Sequence, residues 1–187
     1  EATISESDQL IRTFNAILMI SRLEAGYSAE QLVPVDLAEA VADVAELYDP
    51  VAEEAGVALT SSVQSGCSIK GNRELVAQAL SNIVDNAIKY SAGSSEAPKV
   101  DISLAQERGD CLIRVRDNGP GIAEEADRQR VTERFVRLEK SRSQPGSGLG
   151  LSLAKAVMKF HGGKLDVLSA NPGLLVVMTF HGQRDSE

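Results

Sequence analysis

The chain has 187 residues, 43% hydrophobic but only 4% aromatic and without tryptophan, so its core has to be built from Leu, Ile, Val and Ala. A net charge of −8 argues against a nucleic acid as the main partner, because the longest basic cluster, Arg128 to Arg142, is modest. Two cysteines and two histidines without CxxC spacing exclude the usual zinc sites and a disulfide framework, and Cys67 and Cys111 read as small apolar fillers of a reducing compartment.

Residues 5–25 read as one amphipathic helix, with Leu10, Ile11, Phe14, Ile17, Leu18, Ile20 and Leu23 at helical spacing, Ser5 or Ser7 as cap and Gly26 as stop. So wide a stripe needs a partner, as in a helix taken from a bundle. After a connector containing Pro34, Asp36 caps a helix to Ala55 with Val41, Val44, Ala45 and Leu47 inward, and Pro50 is placed to kink it. Residues 57–63 and 67–70 are extended, and 72–91 form the best-defined helix. Val100, Ile102 and Leu104 alternate in a strand over 99–106, Arg108-Gly109-Asp110 turns, and 111–116 returns as a hairpin partner. Residues 117–147 are polar and glycine-punctuated, the pattern of a functional segment. A helix over 149–160 and strands over 164–168 and 174–180, joined at Asn171-Pro172-Gly173, complete the chain. Helices and antiparallel hairpins are segregated, so the class is α+β, a mostly antiparallel sheet with helices on one face. No apolar run approaches the ~18 residues of a membrane span, and no signal peptide is visible.

Three segments hold residues suited to chemistry. Asn82, Asn86 and Lys89 share one helix face, where asparagine is a poor helix-interior choice. Amide oxygens suit a hard cation such as Mg²⁺ and an ammonium suits phosphate, although a solvated polar face has the same spacing. Asp117-Asn118-Gly119-Pro120-Gly121 follows a strand; its carboxylate suits an exocyclic amine, and the same residues also make an ordinary turn. Gly146-Ser147-Gly148-Leu149-Gly150 abuts a helix start, where free N–H groups and the dipole favour phosphate over a plain linker.

In this order and at these separations, the three segments resemble the N, G1 and G2 boxes of the GHKL ATPase/kinase superfamily. Asn86-Ala87-Ile88-Lys89-Tyr90, Gly148-Leu149-Gly150-Leu151 and His161-Gly162-Gly163 look like those of sensor histidine kinases, and Ser21-Arg22-Leu23-Glu24-Ala25-Gly26 is similar to the end of their second dimerisation helix. The resemblance implies a Bergerat-type sandwich over 34–187, preceded by dimerisation-hairpin residues 1–33. Asn86 is then expected to ligate Mg²⁺ with Asn82 assisting, Lys89 to reach the phosphates of ATP and Tyr90 to lie against adenine. Asp117 reads the adenine amino group beside Gly119 and Gly121, and Ile122 and Leu151 wall the base. Backbone from Gly146 through Ser147, Gly148, Leu149 and Gly150 cradles phosphate and hinges a lid over about 119–147. Arg137, or else Arg134 or Arg142, meets the γ-phosphate.

Hydrolytic members of that superfamily carry a Glu one turn before the metal-binding Asn. Here Asn82 stands there, and an amide cannot serve as a general base. The implied activity is therefore a protein-histidine kinase core that passes phosphate to a histidine outside this chain and onward to a response regulator receiver domain. The full-length protein is expected to be a homodimer through the first helix, in a cytoplasmic domain of an inner-membrane sensor; a pseudokinase scaffold is the alternative. Neither His161 nor His181 stands in an acceptor motif. His161 reads instead as a packing or hydrogen-bonding residue at a helix end, where the dipole favours its imidazolium. Thr132 replaces the aromatic usual before Glu-Arg-Phe, which implies looser lid docking.

Overall fold

A computed structural model describes residues 2–26, 32–94, 96–138 and 147–182, with the side chains of 2–9 and 12 outside the description. Alternation builds the main sheet. In β4 (Lys99–Glu107) Val100, Ile102 and Leu104 point inward, and in β5 (Asp110–Asp117) Cys111, Ile113 and Val115 do so. Antiparallel register sets Ile102 opposite Val115 and Leu104 opposite Ile113, and β5 in turn meets β7 (Leu174–Phe180) with Ile113 opposite Met178. β6 (Lys164–Ser169) closes one edge, and β2 (Ala58–Val63) closes the other in parallel with β4, giving the order β2-β4-β5-β7-β6. The expected α+β class, mostly antiparallel with helices, is what the chain adopts.

One strand has no counterpart in the sequence reading. The connector around Pro34 is β1 (Val33–Asp36), paired with β3 (Ser68–Gly71) in a separate two-stranded sheet. Pro34 lacks an N–H, a loss that a two-stranded ribbon tolerates because each strand is an edge.

Helix α2 (Leu37–Glu54) begins where Asp36 accepts from the Ala38 N–H at 2.8 Å. It runs through Pro50 without ending. Its buried line passes through Val41, Val44, Tyr48 and Ala52 and leaves Leu47, expected inward, exposed on the flank. Helix α3 (Arg73–Ser91) is capped by Asn72, whose side chain accepts from the Leu75 N–H, and buries Val76, Ala79, Leu80, Ile83, Ala87 and Ile88. Burial of each Val, Leu or Ile among them contributes about 1.5–3 kcal/mol. Helix α5 (Gly150–Phe160) packs on α3 and β6, and the end of helix α1 (Ala2–Glu24) packs on α5 through Ile20 and Leu23. Of the rest of the α1 stripe, Ile17 is half-buried against the core, while Leu10, Ile11, Phe14 and Leu18 are exposed. A short helix α4 (Glu125–Arg130) interrupts the segment expected to be irregular. Among the described residues no helix is long and apolar enough to cross a membrane.

Cys67 and Cys111 are both buried, reduced and adjacent. Burial, reinforced by the Cys67 thiol alongside, pushes the Cys111 thiol up to about 12. Neither thiol is expected to react with a disulfide reagent such as DTNB at neutral pH until denaturant is added; rapid titration of the native chain would contradict this packing.

Candidate functional site

The apolar stripe of α3 dictates where its polar residues go. With Ile83, Val84, Ala87 and Ile88 buried, Asn82, Asn86, Lys89 and Tyr90 are left half-buried along the flank. The start of α5 lies against this flank: a Cβ placed on Gly150 would stand 3.5 Å from the Asn86 Nδ2 and 3.6 Å from the Asn82 Cβ. The first and third polar segments therefore meet. Leu149, at the N-cap of α5, supplies no side-chain cap, and among the described residues no side chain accepts from the first-turn N–H groups of the helix.

Lys89 and Arg137 add charge to the same place. Burial holds the Lys89 ammonium below its ordinary value, the nearby Arg137 guanidinium lowers it further, and Asp85 works against both. Two cations are thus brought together near the start of α5. Arg137 is held close to the helix start, since a Cβ on Gly148 would fall 3.0 Å from the Arg137 Cγ and 3.1 Å from the Val136 carbonyl oxygen. Gly148 itself has φ +71°, a left-handed backbone that suits glycine. Lys89 Nζ also lies 5.1 Å from the centre of the Tyr90 ring. Arg134, the second choice for the phosphate contact, is instead ion-paired to Glu24 at the end of α1. Arg142, the third, and Gly146 lie outside the described residues, while Ser147 is half-buried.

Asp117 ends β5 and is 7% exposed. Its Oδ1 accepts from the N–H of Gly119 at 2.9 Å and of Leu174 at 3.2 Å. Burial nonetheless raises its carboxyl above the ordinary aspartate value, the two backbone bonds offsetting only part. The second segment touches the first through Gly119, where a Cβ would fall 2.9 Å from the Tyr90 carbonyl oxygen. Gly121, at φ +66°, would carry a Cβ 2.8 Å from the Gly173 carbonyl oxygen. Ile122 and Leu151 are half-buried; the Ile122 carbonyl accepts from Arg128, and Leu151 packs on the core.

Two contributions were not legible in the sequence. Gly173, read only as part of a turn, braces Asp117 from behind: a Cβ there would lie 1.9 Å from the Asp117 carbonyl oxygen. Thr132, read as a loosening of the lid, is buried; its hydroxyl donates to the Gln129 carbonyl and accepts from Lys155 Nζ of α5 at 3.1 Å. That bond ties the segment after α4 to α5. A cavity of about 490 Å³ lies between α4, α5 and β6, and no motif residue borders it. Among the described residues no three His, Cys, Asp or Glu side chains cluster as a metal site.

The first segment thus touches the third at Gly150 and the second at Gly119, with the Asp117 carboxyl beside the second and Arg137 beside the third. The chain belongs to the family of histidine kinase-, DNA gyrase B- and HSP90-like ATPases, whose profile matches residues 71–184. It is 33% identical over 175 residues to the sensor-like histidine kinase SenX3 of Mycolicibacterium smegmatis, covering 92% of this chain and 44% of that protein. It is 32% identical over 169 residues to the sensor protein IrlS of Burkholderia pseudomallei, covering 89% of this chain and 35% of that one. Among solved structures, the mycobacterial sensor histidine kinase MprB superposes with a TM-score of 0.68 at 30% identity, covering 80% of this chain and 96% of that one. Full-length ShkA in complex with AMPPNP gives 0.79 at 29% identity, over 94% of this chain and 36% of that one. Within the family, this is the catalytic domain of a sensor histidine kinase. The chain spans less than half the length of the curated relatives it matches.

Proposed function

We propose that the three segments bind Mg-ATP and present its γ-phosphoryl group to a histidine outside this chain. The observation that carries this reading is the convergence of Lys89, Arg137 and the uncapped start of α5 on the flank that bears Asn82 and Asn86. Cations and helix N–H groups suit the phosphates, and Asp117 suits the adenine amino group, which would donate to its Oδ2 while Oδ1 stays with Gly119 and Leu174. Tyr90, Ile122 and Leu151 are the apolar surfaces for the base, and Gly146 to Gly150 the backbone cradle. Carboxamides without a carboxylate cluster fit a metal that arrives on the nucleotide: Asn86, with Asn82, would hold Mg²⁺ together with phosphate oxygens, and the ion would neutralise charge on the transferring group.

The reaction then moves phosphoryl from the β–γ bridging oxygen to an imidazole nitrogen, leaving ADP. This chain's own residues orient the nucleotide and supply positive charge; none activates water, because Asn82 has no basic oxygen to take a proton. Onward transfer to a response regulator receiver domain, and dimerisation through the exposed α1 residues Leu10, Ile11, Phe14 and Leu18, complete the reading. Residues 1–33 would be the end of the dimerisation hairpin and 34–187 the catalytic unit.

Calorimetry should show Mg-ATP binding at micromolar to submillimolar Kd, about −5 to −8 kcal/mol. Incubated alone with γ-labelled ATP, the chain should take up little label. Absence of any heat, or label on His161 or His181, would contradict the proposal.

Asp117→Asn separates binding from stability. A carboxyl raised in the folded state stabilises the fold when protonated, below its unfolded value of 3.8, and loses that contribution as pH rises through the folded value. At neutral pH the buried carboxylate is a net cost, while an Asn carbonyl still accepts from Gly119 and Leu174. The variant is expected to melt at or above the parent's temperature at neutral pH, with the advantage shrinking toward about pH 4, yet to bind Mg-ATP at least about tenfold more weakly. A lower melting temperature with unchanged affinity would reverse the assignment.

A further inference from the structure

His161 belongs to none of the three motifs, yet it joins the helices α3 and α5 that border the first and third of them. Its Nε2 accepts from the Asn72 N–H at 3.0 Å, and its Nδ1 lies 2.8 Å from the Val157 carbonyl oxygen. A carbonyl can only accept and an amide N–H can only donate, so Nδ1 carries the proton and Nε2 is the bare nitrogen. The ring is neutral. Burial holds it below the ordinary histidine value, with the Val157 carbonyl opposing, so the imidazolium expected at a helix end is not the folded form. Phe160 and Phe180 meet the ring edge to face, and a Cβ on Gly71 would come within 2.9 Å of it.

The position of this bond matters. Asn72 caps the start of α3, and His161 follows the end of α5. At the other end of the pair, Gly150 begins α5 against Asn82 and Asn86 in the second half of α3. The helices are therefore antiparallel, bonded at one end through His161 and in close approach at the other through Gly150. At 1.5 Å per residue Gly150 to His161 spans about 16.5 Å and Asn72 to Asn82 about 15 Å, so the two contacts match to within one residue. A slip of α5 along α3 would break the His161 bond and carry the uncapped N-terminus of α5 away from Asn86.

We propose that neutral His161 is a positioning residue, an axial pin whose bond to the cap of α3 sets the register of the phosphate-facing end of α5 and releases it on protonation. The inference rests on the nucleotide reading of that end. A proton on Nε2 would turn the acceptor into a donor facing the Asn72 N–H. Charged side chains close in sequence to His161 or to residues around its ring include Lys159 on α5, Arg73 on α3, Lys70 on β3, Lys164 on β6 and His181 after β7. Arg73 is engaged by Glu39 and Asp43, Lys164 by Asp166 and His181 by Asp110. None of these five contributes to the shift at His161. Acid release would thus depend on His161 itself.

His161→Gln supplies an amide oxygen near the Nε2 position and cannot titrate; His161→Leu keeps bulk and removes the acceptor. With Mg-ADP as probe, His161→Gln should bind within about threefold of the parent at neutral pH and His161→Leu about tenfold more weakly. Between about pH 7 and pH 5 the parent should lose affinity faster than His161→Gln, in which only the nucleotide's own titration remains. Parallel pH curves for parent and His161→Gln, or parent-like affinity in His161→Leu, would overturn the pin. Should the parent bind no Mg-ADP at any pH, the nucleotide reading fails by itself. Amide exchange at Leu75 and Val76 then still reads the pin: acid should speed it in the parent and not in His161→Gln, and equal exchange in both would overturn it.

Discussion

Asn86→Ala is expected to weaken Mg-ATP binding at least about 100-fold, ~2.7 kcal/mol, without unfolding the chain. The side chain is half-buried on the α3 flank facing the start of α5, while the neighbouring Ile83 and Ala87 face the core. Removing the amide therefore opens no core cavity, and Ala is the best helix former. What disappears is the amide proposed to help hold Mg²⁺, and no carboxylate cluster stands ready among the described residues to replace it. Gln78→Ala, exposed on the same helix, is the matched control and should change neither affinity nor melting. Calorimetry on the two variants checks both; equal affinities would remove Asn86 from the site.

Gly173→Ala should produce the largest loss of stability. Gly173 has φ +92°, outside the range that L side chains readily adopt, and its Cβ would overlap the Asp117 carbonyl oxygen at 1.9 Å and approach Asp117 Oδ1 to 2.8 Å. Those atoms are backbone and a buried, hydrogen-bonded carboxylate, so neither can give way cheaply. Relief requires moving the 170–174 turn off β5, which breaks the Leu174 bond to Asp117 and disturbs Gly121 behind it. A cost of at least about 3 kcal/mol follows, or roughly 6–12 °C in melting temperature for a chain of this size, with Mg-ATP affinity falling in parallel. Gly162→Ala is the comparison: its φ is +66° but nothing lies within 4 Å, so only the left-handed backbone cost of about 1–2 kcal/mol applies. Similar melting of the two variants would show that the turn accommodates a side chain.

These two residues also mark the limit of what could be read from the chain alone. Asn86 was legible because a helix converts sequence spacing into a shared face, and the apolar stripe beside it fixes which face that is. The same held for strands β4 and β5, where alternation is strict, while β7, with Val176, Val177 and Met178 buried in succession, was legible as an apolar run. Gly173 was not legible, because its role depends on contact with Asp117, a distant residue reached only through sheet pairing. His161 was half legible: its place at a helix end came from sequence, but its bond to Asn72, 89 positions away, and hence its neutral form, came from packing. β1 and α4 escaped for a different reason. Each is short, one contains proline and the other buries none of its residues, so neither leaves a periodic apolar signature.

The central claim is that three segments far apart in sequence share one nucleotide. Backbone amide NMR of the intact chain during a Mg-ADP titration tests it most directly. Signals from Asn86 and Lys89, from Asp117 and Gly119, and from Gly148 and Gly150 should all shift and fit a single Kd. Shifts confined to one segment, or separate dissociation constants for different segments, would contradict it.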